Sequence, residues 1–183
     1  EIVAQPRNGI EGLDAALDGD VLCVDAGTYA ENLVWGGAGV HVVAVAGTRQ
    51  TLLDGTGVGS VVIFQDGGGP DAVLQGFTLT HGSALQGGGI QVTSASPTLT
   101  DLVLEANVVM DPYGEGLGGG LFLSGSASTI SHVTVSNNES LGPNGGDGGG
   151  VYMVNSAPMM ENVVIVSNTA HESGTGGHGG GVY

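Results

Sequence analysis

The sequence predicts an all-β fold, a right-handed parallel β-helix, and three observations carry that prediction. First, a glycine run followed by an aliphatic residue recurs as Gly87-Gly88-Gly89-Ile90, Gly118-Gly119-Gly120-Leu121, Gly148-Gly149-Gly150-Val151 and Gly179-Gly180-Gly181-Val182, with steps of 31, 30 and 31 residues. Second, eight residues after the third glycine, Pro97, Ser128 and Pro158 open segments of one pattern that close on Asn107, Asn138 and Asn168. Third, after residue 20 the apolar residues fall in short runs with no helical period. Two motifs linked in register specify about six stacked coils of about 30 residues, with a short N-terminal capping helix, as a single domain over residues 1–183.

The elements follow in order. Ile10, Leu13 and Leu17 recur at steps of three and four, which predicts an amphipathic helix covering the open end of the stack within a cap of residues 1–20. Residues 21–72 are irregular first coils: strands at 21–24, 31–35, 40–45, 50–53 and 60–64, with a turn at 26–28. Residues 73–183 are the regular repeats. There Leu74, Phe77 and Leu79 match Leu99, Leu102 and Leu104, then Ile130, Val133 and Val135, then Met160, Val163 and Ile165, and these twelve are expected to point inward. Asn107, Asn138 and Asn168, with Gly82 at the same place in the first copy, are expected to form a hydrogen-bonded amide ladder at a tight turn.

Composition bounds function. Glycine supplies 37 residues, yet 40% of the chain is hydrophobic, enough apolar surface to offset chain entropy. Two cations, Arg7 and Arg49, stand against 18 acids, a net charge of −16, which excludes a nucleic-acid partner because phosphate contacts need cations. No apolar run is long enough to be a transmembrane segment. Cys23 is the only cysteine, so no internal disulfide forms.

Four surface features are candidates for chemistry. If Ile90, Leu121, Val151 and Val182 point inward, then Gln91, Phe122, Tyr152 and Tyr183 turn outward, and Phe122, Tyr152 and Tyr183 make an aromatic ladder that stacks on sugar faces or on itself. The loops between the Asn column and the glycines carry Asp111, Glu115, Glu139, Asp147 and Glu172, which stacking would gather either as calcium ligands or as a solvated acidic face. His178 lies in a Gly-His-Gly at the repeat position of Gln86, Leu117 and Asp147; with no evident partner it reads as a loop histidine rather than a catalytic one, and His41, His81, His132 and His171 are scattered. The last copy stops at Gly181-Val182-Tyr183, one step into a new coil, which predicts continuation into more repeats or self-association through this C-terminal coil.

Two stretches carry a family resemblance. Ile10 to Asp20 followed by Val24-Asp-Ala-Gly-Thr-Tyr-Ala-Glu-Asn32 resembles the opening of pectin-lyase-like right-handed β-helix proteins. Leu104-Glu-Ala-Asn107, Val135-Ser-Asn-Asn138 and Ile165-Val-Ser-Asn168, each ahead of a glycine run, are similar to polymorphic outer-membrane-protein repeats. The resemblance implies a secreted or cell-surface protein. It does not choose among lyases, hydrolases, epimerases, adhesins and passive surface proteins. A lyase of this kind would need a lysine or arginine beside its calcium; the chain has no lysine, and both arginines lie in its N-terminal third. The first expectation is therefore a non-enzymatic structural or adhesive module binding glycan. The second is a carbohydrate-active enzyme, a hydrolase or epimerase using Asp111, Glu115 and Asp147.

Overall fold

The computed structural model describes residues 2–4, 10, 12–171 and 177–183. The chain winds into a parallel β-solenoid of about 5 turns, slightly fewer than the six coils the repeat predicts. An eleven-stranded sheet forms one side and carries two files of inward residues. The first file aligns Leu22, Val42, Leu74, Leu99, Ile130 and Met160. The second aligns Tyr29, Leu53, Leu79, Leu104, Val135 and Ile165. A five-stranded sheet built from Leu33–Gly36, Val62–Gln65, Ile90–Thr93, Leu121–Ser124 and Val151–Val154 closes a second side. A third sheet of four short strands, Ser83–Ala84, Val108–Met110, Glu139–Leu141 and Thr169–Ala170, follows the Asn column.

The inward pattern has a local cause. A strand alternates sides every residue, so two inward residues separated by three positions need a break in the alternation. Leu74 and Phe77, Leu99 and Leu102, Ile130 and Val133, and Met160 and Val163 are such pairs, and the residue just before the second member, Gly76, Asp101, His132 or Asn162, has φ of +87°, +52°, +55° or +54°. The same device recurs between Leu104 and Asn107 at Ala106, and between Val135 and Asn138 at Asn137, both at φ +55°. Left-handed conformation costs a non-glycine residue roughly 1–2 kcal/mol. Each bend is repeated on the next rung, so pairing resumes in the same register beyond it.

Of the twelve predicted core residues, the nine from Leu74 to Val135 are fully buried. Val163 and Ile165 are half-buried and Met160 is 37% exposed, because no later rung lies against them among the described residues. Larger side chains fill the first turns: Trp35 and Phe64, partners in register, stack with ring centroids 4.6 Å apart.

Two predicted elements differ. The capping helix is absent: helical structure among the described residues is one 3-10 turn, Leu13–Ala15. Ile10 does enter the core, held by its N–H donating to Glu31 Oε1 at 2.8 Å, and Leu13 packs partly against it. Leu17, however, is 73% exposed, and a bond from Asp20 N–H to Leu17 carbonyl turns the chain there. A single short turn does not recover the cost of helix nucleation. The predicted turn at 26–28 is instead the start of strand Gly27–Tyr29, which pairs with Thr51–Asp54; rung-to-rung bonding overrides the turn preference of glycine and threonine. No helix among the described residues is long and apolar enough to cross a membrane.

Candidate functional site

The outward column of the five-stranded sheet runs Val34, Ile63, Gln91, Phe122 and Tyr152 in register, and Tyr183 follows beyond the bridge from Val151 to Val182. Beside it the glycine runs turn back sharply: Gly87, Gly118, Gly148 and Gly179 have φ between +59° and +70°. The preceding residues Gln86, Leu117, Asp147 and His178 bridge to one another as a second column. The two columns, five positions apart in each turn, form the floor and wall of one face.

Phe122 and Tyr152 stack at 5.7 Å with planes 7° apart, and Tyr152 and Tyr183 stack at 5.5 Å and 20°. Their faces are therefore largely taken by one another. Phe122 is 4% exposed, Tyr152 half-buried and Tyr183 51% exposed, so the ring open to a ligand is Tyr183. Burial, then the Asp147 carboxylate, Tyr183 and Glu115 push the Tyr152 phenol above its ordinary value, which keeps it protonated as a donor.

The wall supplies a pairing that the sequence did not reveal. His178 donates its backbone N–H to Asp147 Oδ1 at 2.9 Å, and its Nδ1 lies 3.0 Å from the same oxygen. With the proton on Nδ1, Nε2 is left as an acceptor beside the Tyr183 ring, whose centroid is 5.6 Å from that of the imidazole. The expectation that His178 lacks a positioned partner is thus overturned. Adjacent rungs place residues 31 apart side by side, and column equivalence alone held that information.

Of the five predicted calcium ligands, the four among the described residues, Asp111, Glu115, Glu139 and Asp147, are not grouped as a metal site. Asp111 Oδ1 accepts from the N–H groups of Tyr113 and Gly114 at 2.8 and 3.1 Å, a local turn cap. Glu139 pairs with His171, Asp147 with His178, and Glu115 is exposed. Glu172 lies outside the described residues. Among the described residues no three His, Cys, Asp or Glu side chains are grouped to hold a metal. The loops diverge in sequence from rung to rung, so Asp111, Glu139 and Asp147 answer donors of their own turn or its neighbour.

Asn107, Asn138 and Asn168 form a continuous amide column. Asn107 Nδ2 donates to Asn138 Oδ1 at 3.0 Å, and Asn138 Nδ2 to Asn168 Oδ1 at 3.0 Å. Each Oδ1 also accepts the backbone N–H of the preceding rung, and each Nδ2 also donates to a carbonyl, of Leu79, Leu104 or Val135. Asn138 is saturated within the stack and its neighbours bond on both amide atoms, which makes the column structural.

Histidines elsewhere bond between rungs as well: His41 to Gln75, His132 to Asn162, and His81 Nδ1 to Asp54 Oδ2 at 3.1 Å. The Thr56 N–H donated to Asp54 Oδ1, opposed by burial and aided by His81, holds the Asp54 carboxyl below its ordinary value of 3.8. A depressed carboxyl stabilises the fold above its unfolded value and loses that contribution as pH falls through the folded one. Asp54→Asn should therefore lower the melting temperature at neutral pH, and the gap from the parent should close below pH 3.8. A gap that persisted unchanged in acid would refute the assignment.

No protein-family model, curated protein or solved structure matches the chain. What the structure defines is the class: a parallel β-solenoid with a stacked aromatic column on one sheet and a histidine–carboxylate pair on the adjoining wall.

Proposed function

We propose that the chain is a secreted or cell-surface structural and adhesive module of the pectin-lyase-like kind, with coils of the polymorphic outer-membrane-protein type, that binds glycan at the end of its aromatic column. The observation that carries the reading is the ordered outward stack of Phe122, Tyr152 and Tyr183, with the last ring open. Buried rings fix the position of the exposed one, and a pre-positioned aromatic face loses little entropy when a sugar ring stacks on it. Self-association adds to adhesion in this reading. Met160, in register with the inward file, is 37% exposed, and Val163 and Ile165 beside it are partly buried, an apolar spacing complementary to another turn of the same repeat.

A second reading, a carbohydrate-active enzyme, is favoured by the Asp147–His178 pair facing Tyr183, since a carboxylate-oriented imidazole is a general base. One experiment separates the two: a glycan array followed by assay of reducing-end release on each bound glycan. The expected result is binding without turnover, weakened about tenfold or more by Tyr183→Ala and unaffected by His178→Ala in chemistry. Turnover abolished by His178→Ala would replace the first reading with the second.

A further inference from the structure

Toward the first turns from the aromatic rings, the same outward column continues through Gln91 and Ile63, and here the face deepens into an open groove of about 630 Å³. Its opposite bank is the segment Ser83 to Gln86 with Met110 and Asp111 from the next rung. That volume is in the range of small-ligand sites. In a chain of net charge −16, its only ionisable lining residue among the described residues is Asp111, whose Oδ1 is already occupied by two backbone N–H groups.

We propose that this groove binds an uncharged, hydroxyl-rich ligand, a neutral oligosaccharide segment, and that it extends the glycan site along the column from Tyr183. This rests on the reading above for the identity of the ligand class. Three features argue for it. Among the described residues no lysine, arginine or histidine lines the groove to compensate an anion, and the Asp111 carboxylate and the net charge repel one. The polar groups present are amides and hydroxyls: among the described residues, the Gln86 side chain and Gln91 Nε2 have no protein partner, and Ser60 Oγ–H donates to the Gln86 carbonyl at 3.2 Å. Such groups donate to and accept from sugar hydroxyls without a charge on either side. Leu85 and Met110, 58% and 57% exposed, supply an apolar rim of the kind that meets the C–H face of a pyranose.

Calorimetric titration of the intact chain with maltohexaose, cellohexaose, xylohexaose and an oligogalacturonate tests the site. The expected result is that at least one neutral oligosaccharide binds and the oligogalacturonate does not. Gln91→Ala should weaken that binding about tenfold with the melting temperature unchanged. Leu85→Arg, at an exposed position away from the core, should also weaken neutral binding and should admit the oligogalacturonate, because it places a cation in the groove. If Gln91→Ala and Leu85→Arg weaken binding while Tyr183→Ala does not, the groove stands and the ring site falls. If only Tyr183→Ala weakens it, the groove is refuted and the ring site stands. Absence of neutral binding, or preference of the parent chain for the oligogalacturonate, overturns the proposal.

Discussion

Asn138→Ala is expected to destabilise the solenoid by on the order of 3 kcal/mol. Asn138 is 1% exposed and sits at the centre of the amide column. Its Oδ1 accepts from Asn107 N–H and Asn107 Nδ2, both at 3.0 Å, and its Nδ2 donates to Leu104 carbonyl at 2.9 Å and Asn168 Oδ1 at 3.0 Å. Alanine removes all four bonds at once and leaves a buried N–H without an acceptor, in a place where the tight stacking of the glycine run gives water little room. For a chain of this length the loss corresponds to a drop in melting temperature of about 6–12 °C. Asn168→Ala, in the partly uncovered last turn, should cost visibly less. Asn138→Asp separates hydrogen bonding from size: it keeps the acceptor but faces Leu104 carbonyl and Asn168 Oδ1 with a buried carboxylate. Its pKa is raised in the fold, so its penalty should shrink as pH falls and the acid regains a donor. Calorimetry of the three variants against the parent provides the check. Equal melting temperatures for the parent and Asn138→Ala would remove the ladder from any account of stability.

The repeat made the stack legible because it is a statement about register: residues one period apart lie on adjacent rungs. From that alone came the inward residues of the repeats, the outward column ending in Tyr183 and the Asn column. What lay beyond reach has physical reasons. The bends at Asp101, His132 and Asn162 carry no single residue type, since Asp, His and Asn each enter the left-handed region more readily than other non-glycine residues. The helix expected from Ile10, Leu13 and Leu17 rested on three positions, fewer than local periodicity needs. The strand Gly27–Tyr29 looked like a turn because its partner, Thr51–Asp54, is distant in sequence. The acids and His178 were visible as residues, but whether two of them meet depends on loop paths that differ between copies. Register put Asp147 against His178 and loop divergence kept Asp111 and Glu139 apart, and these outcomes follow from one geometry. Outward orientation of Phe122 was also legible, whereas its burial was not: a ring pitch set by strand spacing is close enough for stacking, so each aromatic covers the next.

Gly120→Ala should be nearly as damaging as loss of the ladder, about 2–3 kcal/mol, and for a reason that joins the two repeated motifs. Its φ is not positive, so alanine meets no backbone objection there. The obstacle is space. A Cβ on Gly120 would lie 2.7 Å from Val135 Cγ1, 2.8 Å from the Gly150 carbonyl oxygen and 2.9 Å from Asn138 Nδ2. The third glycine of the first three runs thus lies against the asparagine of its own turn: a Cβ on Gly89 would meet Asn107 Nδ2 at 3.0 Å and one on Gly150 would meet Asn168 Nδ2 at 2.8 Å. Neither the carbonyl nor the amide yields easily, because both are fixed by rung-to-rung hydrogen bonds. Glycine and asparagine are therefore one device: the absence of a side chain at one corner lets an amide lie flat in the interior of the other. Gly36→Ala is the control, since a Cβ there meets nothing within 4 Å and the φ is ordinary. It should be neutral, or stabilising by about 0.4–1 kcal/mol through the unfolded chain. Urea denaturation of both variants reads the contrast directly. A Gly120→Ala midpoint equal to that of Gly36→Ala would show that the Asn column has room to shift, and the two motifs would then be neighbours without being coupled.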